Sequence, residues 1–161
     1  MKTNMIKDIK QFKRTEDGHL LLLTPEERKL LILDLTSRIE YGVICMIERV
    51  DDFGPRWRNE KLTGFEKEEN GYFFFDFEYG LTVDFAEKVS PYLRPMSSMT
   101  KEEKREYTSY CFEQPLLQKN KIPNLGSIPM CIDWLNAHHF DYRGLIEKGL
   151  ALIAPDDMYT K

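Results

Sequence analysis

A chain of 161 residues with 23 Lys and Arg against 27 Asp and Glu, net charge −4, has the size of one domain and a mildly acidic surface. A domain of that size buries about 68–70% of its unfolded surface, so it needs no disulfide or metal staple. The acidic balance argues against broad nucleic-acid binding, and no apolar run approaches the roughly 20 residues of a membrane span.

The basic stretch 1–14 lacks the apolar core of a secretory signal. The cysteines, Cys45, Cys111 and Cys131, are odd in number and show no C-x-x-C spacing, which predicts reduced thiols in a cytoplasm. Residues 1–23 gather Lys2, Lys7, Lys10, Lys13 and Arg14 against Asp8, with Ile6, Ile9 and Phe12 at helical spacing. They are expected to form a partly mobile basic arm able to touch an acidic partner.

Thr24-Pro25-Glu26-Glu27 is a capping box with proline in the first turn, and predicts a helix over 25–38 that buries Leu31, Ile32 and Leu35. Tyr41-Gly42 ends it. The apolar run 43–47 then reads as a central strand covered on both sides. Residues 51–60 are polar, with a turn expected at Gly54-Pro55. They carry Arg56-Trp57-Arg58, an aromatic between two cations that suits an interaction surface; the plainer reading folds Trp57 back over the sheet.

Asn70-Gly71 between the runs 62–67 and 72–79 is the favoured two-residue hairpin turn. On the second run Phe73, Phe75, Phe77 and Tyr79 share a face assigned to the core, and Tyr72, Phe74, Asp76 and Glu78 share the other. The two carboxylates would repel phosphate, so a base-stacking platform is the weaker reading of this aromatic ladder. A further strand is expected over 81–85. The segment 91–95, Pro-Tyr-Leu-Arg-Pro, is too proline-bound for helix and is expected to run extended along the surface, offering Tyr92 and Arg94 to a partner. Thr100 and Glu103 form a second capping box before a helix over 101–112 that turns Tyr107, Tyr110 and Cys111 inward. A loop through Pro115, Pro123, Asn124 and Gly126 follows.

Ser127 and Pro129 start the next helix, with Cys131, Trp134, Leu135 and His138 on one face and Asp133, Asn136 and Ala137 facing elsewhere. Asp141 is placed to cap a turn holding Leu145 and Ile146, Gly149 to end it, and 150–153 to form a buried strand stopped by Pro155. His138, His139 and Asp141 are the one metal-like cluster. Adjacent helical residues point about 100° apart, so the two imidazoles do not converge as an i, i+4 pair would. The plainer reading packs one histidine in the core and lets the other cap a helix C-terminus. Cys131 and His138 stand about 10 Å apart along a helix, beyond the reach of a nucleophile and its base. No phosphate cradle, nucleophile elbow or HExxH is present, so no catalytic residue and no cofactor is assigned.

The stretches LTPEERKLLILDL (23–35), YGV (41–43), PYLRPMSSMT (91–100) and DWLNAHHFDYRGLIEKGLALIAP (133–155) together resemble an uncharacterised bacterial protein family of gut anaerobes and their phage and mobile elements. The resemblance covers about half the chain, is weakest over 51–81, and implies a bacterial, cytoplasmic setting. It carries no activity and no site residue to this sequence.

The expected fold is therefore one α+β domain over 24–161. A small antiparallel meander, with the strand spacing of an SH3-like barrel, packs against the N-terminal helix and a C-terminal helical segment. The expected function is a non-enzymatic protein-interaction module with Arg56, Trp57, Arg58, Tyr92 and Arg94 as its contact residues. The first alternative is nucleic-acid binding through the basic arm and Trp57, the second a metal-dependent enzyme centred on His138, His139 and Asp141. The partner is expected to be another protein, with no membrane involved and no oligomeric state specified.

Overall fold

The computed structural model describes residues 23–51, 54–69, 73–80, 82–83, 88–112 and 127–159. The expected arm up to residue 22, the Asn70-Gly71 turn, Leu81, Phe85 and the loop through Pro115, Pro123, Asn124 and Gly126 lie outside the described residues. The fold is α+β, an open six-stranded sheet in the order β4-β3-β2-β1-β5-β6 with, among the described residues, three α-helices. The strands are β1 Ile44–Asp51, β2 Gly54–Lys67, β3 Phe73–Phe77, β4 Thr82–Val83, β5 Val89–Leu93 and β6 Leu152–Ile153. Strands β1 to β4 form the expected meander; β5 joins it antiparallel to β1, and β6 pairs parallel with β5. The sheet keeps two edges, β4 and β6, and does not close into a barrel. Among the described residues no helix is long and apolar enough to cross a membrane.

Helix α1, Pro25–Ser37, begins as its capping box dictates. The Glu27 N–H donates to Thr24 Oγ1 at 3.2 Å, and the Thr24 N–H donates to Glu27 Oε2 at 3.0 Å. Its Leu31 and Leu35 pack onto one face of the sheet, where β1 presents Cys45 and Ile47 and β3 presents Phe75 and Phe77. The opposite face carries a second cluster of Met46, Tyr92, Leu152 and Ala154, joined by Ile44 and Trp57. Apolar side chains on both faces are what a continuous apolar run predicts, because alternation along β1 sends neighbours to opposite sides.

Three expectations are corrected here. The polar stretch 51–60 does not turn at Gly54-Pro55: Gly54 and Pro55 pair with Asp51 and Val50, and β2 runs on to Lys67 with one irregularity between Leu62 and Gly64. Its backbone pairs with β1 whatever its side chains are, so polarity did not prevent a strand; Trp57 lies opposite Glu48 and packs with the second cluster. The segment 91–95 does not run along the surface either, since every residue of β5 is buried. Pro91 lacks an N–H for the β1 ladder, and the Tyr159 hydroxyl takes over just beyond it. That hydroxyl accepts the Ile44 N–H at 3.1 Å and donates to the Tyr92 carbonyl at 2.8 Å. Tyr79, assigned to the core by alternation, follows the end of β3 in a turn and is 78% exposed.

Helix α2, Lys101–Phe112, starts at the second capping box, where Glu103 also takes both guanidinium branches of Arg94 at 2.7 and 3.0 Å. Tyr107 turns inward onto Trp134, whereas Tyr110 is 39% exposed. Helix α3, Ser127–Ala137, lies against α2 and buries Cys131, Trp134 and Leu135 as its spacing predicts. Asn136, expected to face away, is buried and accepts the Tyr142 hydroxyl at 3.1 Å.

Candidate functional site

The chain leaves α3 through a tight corner made by two histidines. The Phe140 N–H donates to the Leu135 carbonyl and the His139 N–H to the Asn136 carbonyl, the paired bonds that close a helix when the residue after the cap turns left-handed. That residue is usually glycine; here it is His139, at φ 58°. A side chain in this region costs about 1–2 kcal/mol, so the corner is held by its surroundings. The Arg94 N–H donates to the His139 carbonyl and the Asp141 N–H to the Arg94 carbonyl, both at 2.8 Å, which fastens the corner to the end of β5. The His139 ring stacks on Tyr159 with centroids 3.7 Å apart.

His138 is fixed differently. Its Nδ1 lies 2.9 Å from the Trp134 carbonyl, an acceptor only, so in the neutral ring Nδ1 carries the proton and Nε2 keeps its lone pair. The ring lies flat on Trp134, centroids 3.9 Å apart, and Trp134 is in turn stacked on Phe140. Both histidines border one cleft of about 530 Å³. Its floor is the end of β1 and β2, which contributes Ile44, Asn59, Glu60 and Lys61, with the Glu60 carboxylate 3.9 Å from Arg58. Two turns form the sides, Tyr41-Gly42 and Glu78-Tyr79, and Met158 with Tyr159 closes the back. Gly42 has φ 67°, and a Cβ there would meet the Lys61 side chain, so only glycine lets Lys61 lie across this turn.

The cleft carries no excess of cations, since Lys61 and Arg94 line it together with Glu60 and Glu78. Arg94 is held by Glu103, whose carboxyl this contact pulls down to about 2. Glu78 and Lys61 sit on backbone-paired positions, the Glu78 N–H donating to the Lys61 carbonyl. Burial, then the charge of Arg38 and neighbouring His138 and Arg94, pulls His139 down to about 3, so its ring is neutral at pH 7. Its Nδ1 is buried and finds no partner among the described residues. Burial also raises Tyr159 well above its ordinary range; desolvation and then the Asp133 carboxylate, which accepts its hydroxyl, raise Tyr41. The Asn59 carbonyl accepts the Tyr92 hydroxyl at 3.2 Å, which leaves the Asn59 amide as a donor. The cleft thus offers donors from the sheet, an acceptor at His138 Nε2, and aromatic faces. Among the described residues that line it there is no serine, threonine or cysteine to act as a nucleophile.

The residues expected to contact a partner are therefore spread apart. Arg56 and Arg58 are exposed on β2, but Trp57 is half-buried between them. Tyr92 is 3% exposed, and Arg94 spans Glu103 and the face of Phe140, so neither projects from a surface strap. Of the metal-like cluster, His138 and His139 reach the same cleft but Asp141 does not line it. Its carboxylate is used as a cap, accepting the Leu145 and Ile146 N–H groups at 2.8 Å each. No group of three or more His, Cys, Asp or Glu side chains among the described residues is placed to hold a metal ion. Cys111 and Cys131 form a disulfide between α2 and α3, against the expectation of reduced thiols, while Cys45 is free and fully buried. Sequence reasoning missed Asn59, Lys61, Tyr41, Glu78 and Tyr159 as cleft residues, because three turns and a strand end distant in sequence bring them together.

Scans against protein-family models, curated proteins and solved structures find no match to this chain.

Proposed function

We propose that the chain is a non-enzymatic protein-interaction module, and that it recognises its partner through the cleft at the His138–His139 corner. The charge balance of the cleft carries this reading. Arg94 is matched by Glu103, and Lys61 sits beside Glu78. Nucleic acid is bound by cations that displace counterions from phosphates, which this cleft does not supply in excess. A peptide segment brings donors, acceptors and apolar groups without net charge, and matches the Asn59 amide, His138 Nε2 and the tyrosine faces of Tyr41 and Tyr79. The bacterial, cytoplasmic or mobile-element setting implied by the family resemblance belongs to the same proposal.

The test is capture of a partner at near-native expression by three versions of the protein: unaltered, Tyr79→Ser and Asn59→Trp. Tyr79 is 78% exposed, so its loss leaves the fold intact, and the indole at position 59 fills the cleft. At least tenfold weaker capture by both variants is the expected result; unchanged capture by both refutes the cleft as the site. Titration with single- and double-stranded oligonucleotides at low salt is expected to give no salt-sensitive binding.

A further inference from the structure

The Cys111–Cys131 disulfide is placed where it can govern this cleft. Cys131 stands one helical turn before Trp134, and Cys111 stands one turn after Tyr107, whose ring packs on Trp134 at 5.4 Å. Trp134 supports the His138 side of the wall. It stacks on His138, holds His138 Nδ1 through its carbonyl, and stacks on Phe140 beyond the corner. The bond therefore clamps α2 to α3 next to the layer that positions His138 and, through Phe140, the corner that carries His139. The third cysteine takes no part, because Cys45 is fully buried in the core and burial raises its thiol far above the usual range. Cys111 is half-buried and Cys131 is 9% exposed, so an external thiol reaches the Cys111 sulfur first.

We propose that the Cys111–Cys131 disulfide is a redox tether that holds the His138–His139 wall in its binding geometry, and that a dithiol reductant releases it. The thiolate of the reductant attacks Cys111 Sγ and forms a mixed disulfide. The bond to Cys131 breaks with its electron pair on Cys131 Sγ, which takes up a proton. The second thiol of the reductant then displaces Cys111 and closes the reductant's own disulfide, so two electrons and two protons pass to the protein. As a control of recognition this rests on the cleft being the binding site, but the tether itself is measured without a partner.

The experiment uses the full chain, air-oxidised or treated with dithiothreitol. Alkylation after denaturation is expected to label one cysteine in the oxidised protein and three in the reduced protein. Hydrogen exchange on the native protein is expected to be at least tenfold faster at the amides of residues 134–141 after reduction, with the β1 and β2 amides unchanged. A Cys111→Ser, Cys131→Ser double variant is expected to exchange like the reduced protein and to ignore dithiothreitol; protection in β1 reports that it has folded. Three labelled cysteines in the oxidised protein, or equal exchange at 134–141 in both states, overturns the tether. If exchange responds but the Tyr79→Ser and Asn59→Trp variants capture partner normally, the tether stands and the cleft reading falls.

Discussion

Arg38→Met is expected to destabilise the protein by about 3–5 kcal/mol, the effect of removing one partner of a buried charge pair. Arg38 and Asp34 are both 0% exposed at their side chains. Arg38 Nε and Nη2 donate to the two Asp34 oxygens at 2.8 and 3.0 Å, and Nη2 also donates to the Phe140 carbonyl at 2.8 Å. The same guanidinium thus closes α1 and holds the corner that follows the two histidines. Without it, Asp34 keeps among the described residues only Arg143, whose Nε approaches at 3.3 Å without hydrogen-bond alignment, and the Phe140 carbonyl loses its side-chain donor. For a domain of this size the loss corresponds to a melting temperature lower by roughly 6–20 °C. Removing both charges in Asp34→Leu, Arg38→Met leaves no buried carboxylate behind, so the double variant is expected to be more stable than Arg38→Met alone. Urea denaturation of the three proteins checks this; a single variant within about 1 kcal/mol of the parent would remove the pair from the account.

Acidification is expected to weaken the fold through His139 before Glu103 responds. The ring is free to take a proton near pH 6.5 when unfolded but only at about 3 when folded. Between those values the unfolded chain binds a proton that the folded chain refuses. Stability is therefore fully present above pH 6.5 and falls as pH drops toward 3, by about 4–5 kcal/mol in total and about 2–3 kcal/mol by pH 4.5. Glu103 acts in a lower window, since its folded value is about 2 and its ordinary value 4.5, so its contribution is lost only below pH 4.5. His139→Asn separates the two: asparagine does not titrate and tolerates the left-handed backbone. Its stability is expected to be nearly flat from pH 6.5 to 4.5, measured as urea midpoints; an unaltered slope contradicts the assignment to His139.

Local signals were the legible ones. Both capping boxes, the start of α3, the Asp141 cap and the left-handed Gly149 were readable because each depends on residues within a few positions of one another. The apolar run in β1 announced a central strand for the same reason. What failed was anything decided by distant partners. The first half of β2 was missed as a strand because its polar side chains gave no sign that its backbone would pair with β1. Strand β5 looked exposed because nothing near Pro91 reveals that the Tyr159 hydroxyl, far along the chain, bridges the strands there. The site was half legible. The His138-His139 pair stood out, and its plainer reading matches one ring capping Trp134 and the other packed on Tyr159. That both rings also border a shared cleft depends on where Asn59, Lys61 and Tyr79 arrive, and no spacing in the sequence encodes that.

The central claim is that a partner chain occupies the cleft beside the two histidines. Hydrogen exchange of the protein with and without its captured partner tests it most directly. The account predicts slower exchange at residues 41–44, 59–61, 138–140 and 158–159 on binding. Protection confined to residues 56–58 on the outer part of β2, with the cleft amides unchanged, would contradict it.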